Sequence, residues 1–220
     1  MDRGEGFADR VDAGRRLGAA LRARVAGSPV VAGIPRGGVV VAAEVAAALQ
    51  APLRAVVARK VGAPGRPELA LGAVGPDGTV VLDETLARRA GATTGFLDRA
   101  VATVRREVEA RTARLAAVVT ADEARDRGVV VVDDGVATGS TAAAVGRWLA
   151  TVGARVRVLA LPVGPADTLA ALREEYEDVL ALETPAYFVA VGQWYRDFRQ
   201  VTDDEVARLL GAGPAGTPTT

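Results

Sequence analysis

The sequence predicts an α/β domain with a doubly wound, mostly parallel β-sheet. Short apolar segments typical of strands alternate with longer segments of helical periodicity along most of the chain. The clearest strand is Val129–Val132, four consecutive valines, which is typical of a strand buried on both faces of a parallel sheet. Ligands of such sheets bind at the carboxyl ends of the strands, so we expect the site in the loops that follow them.

The other predicted elements follow from hydrophobic periodicity and from the positions of glycine and proline. Helices are predicted over 9–26, Val39–Leu49, 84–118, Ser140–Thr151, 166–175 and Asp203–Leu210. Core strands are predicted at Val30–Ile34, Leu53–Ala58, Val129–Val132, Arg155–Leu161 and Val179–Leu182. The sequence GPDG would join Leu69–Val74 to Thr79–Leu82 as a β-hairpin flap, whereas 61–68, with two glycines and two prolines, is predicted to be a loop.

The length of 220 residues fits a single domain, expected over 1–210, with a helical insertion over about 84–120. The apolar stripe of this insertion turns polar at Arg111, which Glu107, four residues earlier, could pair with. A solvated helix edge is favoured here over the alternative, a binding site. The tail over 211–220, rich in glycine, proline and threonine, is expected to be disordered.

Composition excludes several kinds of chemistry. The chain has no histidine and no cysteine, so it holds no Cys or His nucleophile, no Ser-His-Asp triad and no zinc finger. Catalysis would depend on carboxylates, hydroxyls, backbone amides, Lys, Arg or a bound metal. Of the 27 basic residues, 26 are arginines and Lys60 is the single lysine. A lone lysine in such a background indicates a position where arginine does not serve.

Charge and hydropathy narrow the expected partners. Lys+Arg and Asp+Glu are both 27, so the formal net charge is zero, whereas a nucleic-acid-binding protein usually has a basic excess. The N-terminal residues are charged and lack the apolar core of a signal peptide, and no apolar run of 18 residues occurs. We therefore expect a cytoplasmic protein that binds neither nucleic acid nor a membrane.

The segment Val129–Thr141, VVVVDDGVATGST, carries the clearest chemical signal. Asp133 and Asp134 end the apolar strand, where two adjacent carboxylates need partners such as sugar hydroxyls, a divalent cation or backbone donors. Small and hydroxylic residues follow where a helix begins, namely Ala137, Thr138, Gly139, Ser140 and Thr141. Free amides and the helix dipole make that point an anion site suited to phosphate. Hydroxyl acceptors beside a phosphate cradle match a ribose 5-phosphate.

Other interpretations of these glycines and carboxylates fit less well. The P-loop pattern GxxxxGK[ST] is absent, and GIPRGG at 33–38 lacks the GxGxxG spacing of a dinucleotide site. The structural alternative for Val129–Thr141 is an Asx turn and a helix cap after a core strand. A string this long and specific favours a binding site.

The segment Val129–Thr141 resembles the signature of the type I phosphoribosyltransferases for 5-phosphoribosyl 1-pyrophosphate (PRPP), with Gly135 where a larger aliphatic residue is more usual. The sequence segments 59–74 and 191–206 are similar to segments shared by a bacterial group of predicted phosphoribosyltransferases with no assigned acceptor. The resemblance implies that Asp133 and Asp134 bind the ribose hydroxyls and that 137–141 hold the 5-phosphate. It also implies Mg²⁺ as cofactor, bound mainly through PRPP, with Asp133 and Asp134 contacting it via water.

The resemblance further implies a pyrophosphate loop, Pro35-Arg36-Gly37-Gly38, after the first core strand. Arg36 supplies a fixed cation, the glycines let backbone amides approach oxygens, and a cis peptide bond is expected before Arg36. Lys60 would end the second core strand and reach the pyrophosphate, with Gly62–Glu68 as a flexible flap. The catalytic residues would then be Arg36, Lys60, Asp133 and Asp134. The alternatives are a plain strand-to-helix turn at the glycines and an exposed strand-end lysine.

The sequence does not identify the acceptor or the residues that bind it. Five of the nine aromatic residues fall within 187–198, and Phe188, Trp194 and Tyr195 are expected to stack on a flat acceptor such as a nucleobase. With equal weight, these rings close the core or form a homodimer contact, and the 84–120 insertion is a hood or an oligomer contact.

The function implied is Mg²⁺-dependent transfer of 5-phosphoribosyl from PRPP to a nitrogenous small-molecule acceptor, with release of pyrophosphate. The alternatives are a non-catalytic sensor of PRPP or a nucleotide on the same fold, and another sugar-phosphate-binding α/β enzyme.

Overall fold

The computed structural model describes residues 6–211, apart from the side chain of Glu68. The strands are β1 (Val30–Gly33), β2 (Leu53–Ala55), β3 (Arg59–Ala63), β4 (Arg66–Val74), β5 (Val80–Leu82), β6 (Val129–Val132), β7 (Arg157–Val163) and β8 (Asp178–Glu183). The helices are α1 (Arg10–Leu21), α2 (Gly37–Leu49), α3 (Glu84–Arg89), α4 (Thr94–Thr112), α5 (Ala121–Asp126), α6 (Ser140–Thr151), α7 (Ala166–Leu172) and α8 (Asp203–Gly211).

Five parallel strands form the central sheet in the order β2-β1-β6-β7-β8, which confirms the predicted fold class. Because adjacent strand residues point to opposite faces, Val129 and Val131 pack under α6, while Val130 and Val132 pack under α1 and α2. All four valines of β6 are at most 1% exposed. The four-valine strand therefore lies at the centre of the sheet, as predicted, and its carboxyl end delivers the two aspartates.

A second sheet of three antiparallel strands, β3-β4-β5, stands beside the first. The predicted hairpin is confirmed as β4 and β5, but the predicted loop over 61–68 is wrong, because β3 and β4 pair through most of it. Their turn lies at residues 64–65, and register shifts on either side of Gly62 absorb the irregularity. A Cβ at Gly62 would meet the backbone of Pro67 at 2.7 Å, so glycine permits the close approach.

Trp148 of α6 attaches the second sheet to the central core. Its side chain is fully buried, and its indole N–H donates to the Asp77 carboxylate at 3.0 Å in the turn between β4 and β5. Gly75 of the same turn packs against the indole ring with no room for a Cβ. The antiparallel sheet is thus fixed at the edge of the central sheet where the predicted site lies.

The insertion after β5 differs from the single helix predicted over 84–118. It forms α3 and α4, separated by a turn in which Gly91 has φ +72° and followed by Thr93, whose side chain caps α4 by accepting from the Phe96 amide. Val118 lies outside the helix and bridges to Ala55 of β2. A left-handed glycine and a new capping residue therefore end one helix and start another.

Helix α5 (Ala121–Asp126) was not predicted. The remaining elements differ from prediction mainly at their ends: α1 stops at Leu21, β2 at Ala55 and α7 at Leu172. Gly211 belongs to α8, and the rest of the predicted disordered tail lies outside the described residues. Within residues 6–211, no helix combines the length and apolar character needed to cross a bilayer.

Candidate active site

A cleft of about 840 Å³ opens at the carboxyl ends of β1, β2 and β6. Its walls come from α1, the loop before α2, the segment from Val56 to Gly62, the start of β4, one side of α4, the end of β6, the start of α6 and the segment before α8. Predicted site residues that line it are Pro35, Arg36, Gly37, Lys60, Asp133, Asp134, Ser140 and Thr141. The topology thus brings together four segments that lie up to about a hundred residues apart in the sequence.

The acidic pair at the end of β6 is held from several sides. The Asp134 amide donates to Asp133 Oδ1 at 2.9 Å, which orients the first carboxylate. Arg10 Nε donates to Asp134 Oδ2 at 2.7 Å, and the Tyr195 hydroxyl donates to the Asp134 carbonyl oxygen at 2.5 Å. Burial and the neighbouring Asp134 carboxylate raise the pKa of Asp133 well above its usual range.

Arg10 is a site residue that the sequence analysis missed. Its side chain is 10% exposed, its second nitrogen donates to the Arg199 carbonyl oxygen at 2.9 Å, and its guanidinium lies 3.8 Å from the centre of the Phe198 ring. One of 26 arginines, 124 positions before Asp134, carries no local signal. Only the fold brings the start of α1 against the end of β6.

The loop Pro35–Gly38 packs directly against this pair. The Pro35–Arg36 peptide bond is cis, as the resemblance implied. A Cβ on Gly37 would collide with the Asp134 carboxylate, and one on Gly38 would lie 2.7 Å from the Val132 carbonyl oxygen. The two glycines therefore let the first turn of α2 approach the acidic pair.

The loop 137–141 leads into α6. Among the described residues, the backbone amides of this loop make no hydrogen bond to a backbone or side-chain acceptor. Gly139 caps the helix with φ +69°, and the Thr168 hydroxyl fixes the loop by donating to the Ala137 carbonyl oxygen at 2.8 Å. Ser140 and Thr141 line the cleft, and Ala137, Thr138 and Gly139 form the loop just before them. Amides that lack acceptors at a helix start are suited to bind an anion.

Gly135 departs from the family pattern for a packing reason. It has φ +144°, and a Cβ there would lie 2.6 Å from the Val191 side chain and 3.0 Å from that of Val163. A larger aliphatic residue has no space at this position, so the turn after the acidic pair needs glycine here.

Lys60 lines the cleft from β3, where it pairs with Ala73 of β4. The prediction that it ends the second core strand is wrong, because β2 stops at Ala55 and Lys60 belongs to the antiparallel sheet. The flap predicted over Gly62–Glu68 corresponds to the end of β3, the turn and the start of β4. Lys60 is thus carried by a sheet element rather than by a loop.

Arg111 was predicted to lie on a solvated edge and to pair with Glu107, and both expectations are wrong. Its Nη2 donates to the Pro35 carbonyl oxygen at 3.1 Å, and Glu107 pairs with Arg59 at 3.3 Å. Burial and the nearby charges of Arg59 and Arg36 lower the pKa of Arg111. The polar break in the apolar stripe of α4 was the available signal for this contact.

The three predicted acceptor rings do not line the cleft. Phe188 and Trp194 pack partly buried beside Phe7 and Val163, and Tyr195 is buried with its ring centre 5.3 Å from that of Phe7. The rings close a core cluster at the sheet edge, which was the alternative interpretation. Phe198 is the aromatic residue of this segment that reaches the cleft.

The fold and the cleft define a class: a doubly wound α/β domain with a carboxylate pair and a helix start with unpaired amides, among the described residues, at the carboxyl ends of its strands. The phosphoribosyl transferase domain family matches residues 9–190, and the chain belongs to that family.

Relatives of known name or structure cover most of this chain. Proteins of two Mycobacterium tuberculosis strains, CDC 1551 and H37Rv, named provisionally as phosphoribosyl transferases, are each 44% identical to it over 204 residues. That alignment covers 93% of this chain and 46% of each relative, so the chain spans less than half of their length. The crystal structure of TT1426, a Thermus thermophilus protein, superposes with a TM-score of 0.83 at 42% identity, over 93% of this chain and 97% of that one.

Proposed function

We propose that this domain binds PRPP in the cleft and transfers its 5-phosphoribosyl group to a nitrogenous acceptor, releasing pyrophosphate. The observation that carries the proposal is the arrangement of three parts around one cleft. Asp133 and Asp134 line the cleft, Ser140 and Thr141 bring the start of α6 to it, and the loop Pro35–Gly38 packs against the acidic pair.

Each part has a role that its chemistry supports. The carboxylates of Asp133 and Asp134 would accept hydrogen bonds from the two ribose hydroxyls, and the amides of 137–141 would donate to the 5-phosphate. Arg36, Lys60 and the amides of Gly37 and Gly38 would hold the pyrophosphate.

The acidic pair also fits a magnesium ion. Two adjacent carboxylates meet the preference of Mg²⁺ for oxygen, and no group of three potential metal ligands occurs among the described residues, so substrate oxygens would complete the shell. When bound, Mg²⁺ would neutralise charge on the pyrophosphate oxygens. Asp133 and Asp134 would hold it directly or through water.

The protein's contribution to the reaction would be positioning and charge stabilisation. As the C1–O bond of PRPP breaks, the bonding electrons leave with pyrophosphate, where Arg36 and Lys60 balance the charge. The ribosyl C1 becomes electron-poor, and the carboxylates of Asp133 and Asp134 stabilise that positive charge. A lone pair of the acceptor nitrogen then forms the new bond to C1, and the proton of that nitrogen passes to the departing pyrophosphate. None of these steps requires histidine or cysteine.

The acceptor would enter beside Arg10, Phe198 and Gln200, which line one side of the cleft. Phe198 is covered by the Arg10 guanidinium, and its ring centre lies 5.0 Å from that of Tyr195. An acceptor would therefore meet a planar cation and an amide rather than a bare ring. A flat, nitrogenous base with hydrogen-bond acceptors suits these groups.

The test is release of pyrophosphate from Mg–PRPP with a panel of nucleobases and other nitrogenous acceptors. We expect release with at least one acceptor, and its loss in Asp133→Asn. Asp98→Asn, an exposed carboxylate on α4, is the matched control and should retain activity. Binding of PRPP without release for any acceptor would favour the sensor, and binding of ribose 5-phosphate alone would favour another sugar-phosphate enzyme.

The single lysine gives a second prediction. In Lys60→Arg, a planar guanidinium replaces a compact ammonium in the cleft, so we expect the turnover number to fall more than the affinity for PRPP. Steady-state kinetics and calorimetry measure the two effects separately. Turnover equal to that of the wild type would remove Lys60 from the proposed catalytic residues.

A further inference from the structure

A second cavity of about 530 Å³ lies beyond the Pro35–Arg36 bond, between α4, α8 and the start of β3. We call it the arginine cavity, because four arginines line it: Arg36, Arg59, Arg111 and Arg114. Pro35, Arg36, Arg59, Glu107 and Arg111 also line the main cleft, so the two cavities share a wall. The shared wall is the loop that we propose binds pyrophosphate.

The charge in the arginine cavity is unbalanced. Glu107 pairs with Arg59 at 3.3 Å, and Asp203 pairs with Arg36 at 3.6 Å; these two acids are its only lining carboxylates among the described residues. Four guanidinium groups thus face two carboxylates. Gathering like charges in a partly enclosed space is costly unless an anion joins them.

Arg111 shows this imbalance most clearly. It is partly buried, and its one hydrogen bond within the described residues goes to the neutral Pro35 carbonyl oxygen. A guanidinium has five N–H donors, so most of its donors remain for a ligand. The positive charges of Arg59 and Arg36 nearby oppose its own, and a bound anion would relieve that repulsion.

Phosphate is the anion that suits the cavity. Guanidinium groups match phosphate oxygens with paired hydrogen bonds, and here they come from the loop before α2, β3, α4 and the segment after α4. Leu115 and Val206 add apolar surface to the wall, which would contact the organic part of a ligand.

We propose that the arginine cavity is a second anion-binding site, for a phosphorylated small molecule, separate from the cleft that would bind PRPP. Anion binding at this site does not require turnover of PRPP, so this proposal does not depend on the proposed transferase activity.

The experiment is calorimetric titration of the full chain with inorganic pyrophosphate as probe. The wild type should show two classes of site. The double variant Arg111→Gln/Arg114→Gln should lose one class, with affinity for it reduced about tenfold or more. The double variant Arg99→Gln/Arg106→Gln, which removes two exposed charges elsewhere on α4, should keep both classes.

Two further variants keep the test decisive. Arg114→Glu alters an exposed side chain, so the fold is not at risk, and it should also weaken that class about tenfold. Lys60 lines the cleft but not the arginine cavity, so Lys60→Glu should remove the cleft class of pyrophosphate binding while leaving the other. Equal binding by the Arg111/Arg114 variant and its Arg99/Arg106 control, or loss of all binding in Lys60→Glu, would overturn the proposal. Failure of the transferase assay alone would not.

Discussion

At the scale of single residues, the site depends on how charged groups constrain one another. Asp134 is 17% exposed in its side chain and is fixed by Arg10 on its carboxylate and by Tyr195 on its backbone carbonyl. Burial and the Asp134 carboxylate raise the pKa of the Tyr195 hydroxyl, so it stays protonated and able to donate. Arg10 is therefore a positioning residue for the acidic pair.

Arg10→Gln should weaken PRPP binding about tenfold, because it removes a charge-assisted hydrogen bond at 2.7 Å from a largely buried carboxylate. Arg10→Lys keeps the charge but cannot contact Asp134 and the Arg199 carbonyl together. Compared with Arg10→Gln, it should therefore restore thermal stability more than PRPP affinity. Calorimetry measures the affinity, and thermal unfolding measures the stability. Arg15→Gln, an exposed arginine on the same helix, is the control. If Arg10→Gln binds PRPP with the affinity of the wild type, Arg10 does not position the acidic pair for PRPP.

The sequence predicted the site residues that belong to a contiguous motif. Asp133, Asp134, Ser140 and Thr141 follow one strand, and the glycines after the first strand identify the second loop. Arg10 and Arg111 could not be predicted, because each acts through a long-range contact and arginine is the commonest charged residue of the chain. In such a composition, an arginine becomes informative only when the fold shows what it contacts.

At the scale of elements, α8 matters because it carries Asp203 to Arg36. Its start is a capping box: the Glu205 amide donates to the Thr202 hydroxyl at 3.2 Å, and the Thr202 amide donates to the Glu205 carboxylate at 3.0 Å. Arg199 adds two hydrogen bonds to the same carboxylate. Together, the hydrogen bonds from Arg199 and the Thr202 amide lower the pKa of Glu205 to about 2.

This lowered pKa predicts a pH-dependent contribution to stability. The folded protein prefers ionised Glu205, so the stabilisation is complete above the ordinary value of 4.5 and declines as the pH falls toward 2. The melting temperature of the wild type should exceed that of Glu205→Gln at pH 6, and the difference should shrink as the solution is acidified. Glu174→Gln, an exposed glutamate, is the control. A difference that does not change between pH 6 and pH 3 would contradict the assignment.

The elements that were predicted wrongly share a physical cause. Glycine and proline in 61–68 were interpreted locally as a loop, yet the pairing of β3 with β4 accommodates them at register shifts. The continuous helix over 84–118 was inferred from hydrophobic periodicity. Periodicity does not show that Gly91 adopts a left-handed turn or that Thr93 caps a new helix. Both errors arise where backbone conformation, rather than side-chain pattern, determines the structure.

At the scale of the whole molecule, two sheets meet at one cleft. The central sheet supplies the acidic pair and the loop of Pro35–Gly38, while the antiparallel sheet, fixed by Trp148, supplies Lys60. The parallel sheet was predictable because its strands are short apolar runs separated by helices. The relation of the antiparallel sheet to the cleft was not, because it depends on the contact between Trp148 and the turn at Gly75 and Asp77.

Calorimetry with PRPP and Mg²⁺ measures whether the cleft binds PRPP through Asp133 and Asp134. We predict submillimolar affinity for the wild type, affinity at least about tenfold weaker for Asp133→Asn, and unchanged affinity for Asp98→Asn. No binding by the wild type at millimolar PRPP, or equal affinity of Asp133→Asn and the wild type, would contradict the account.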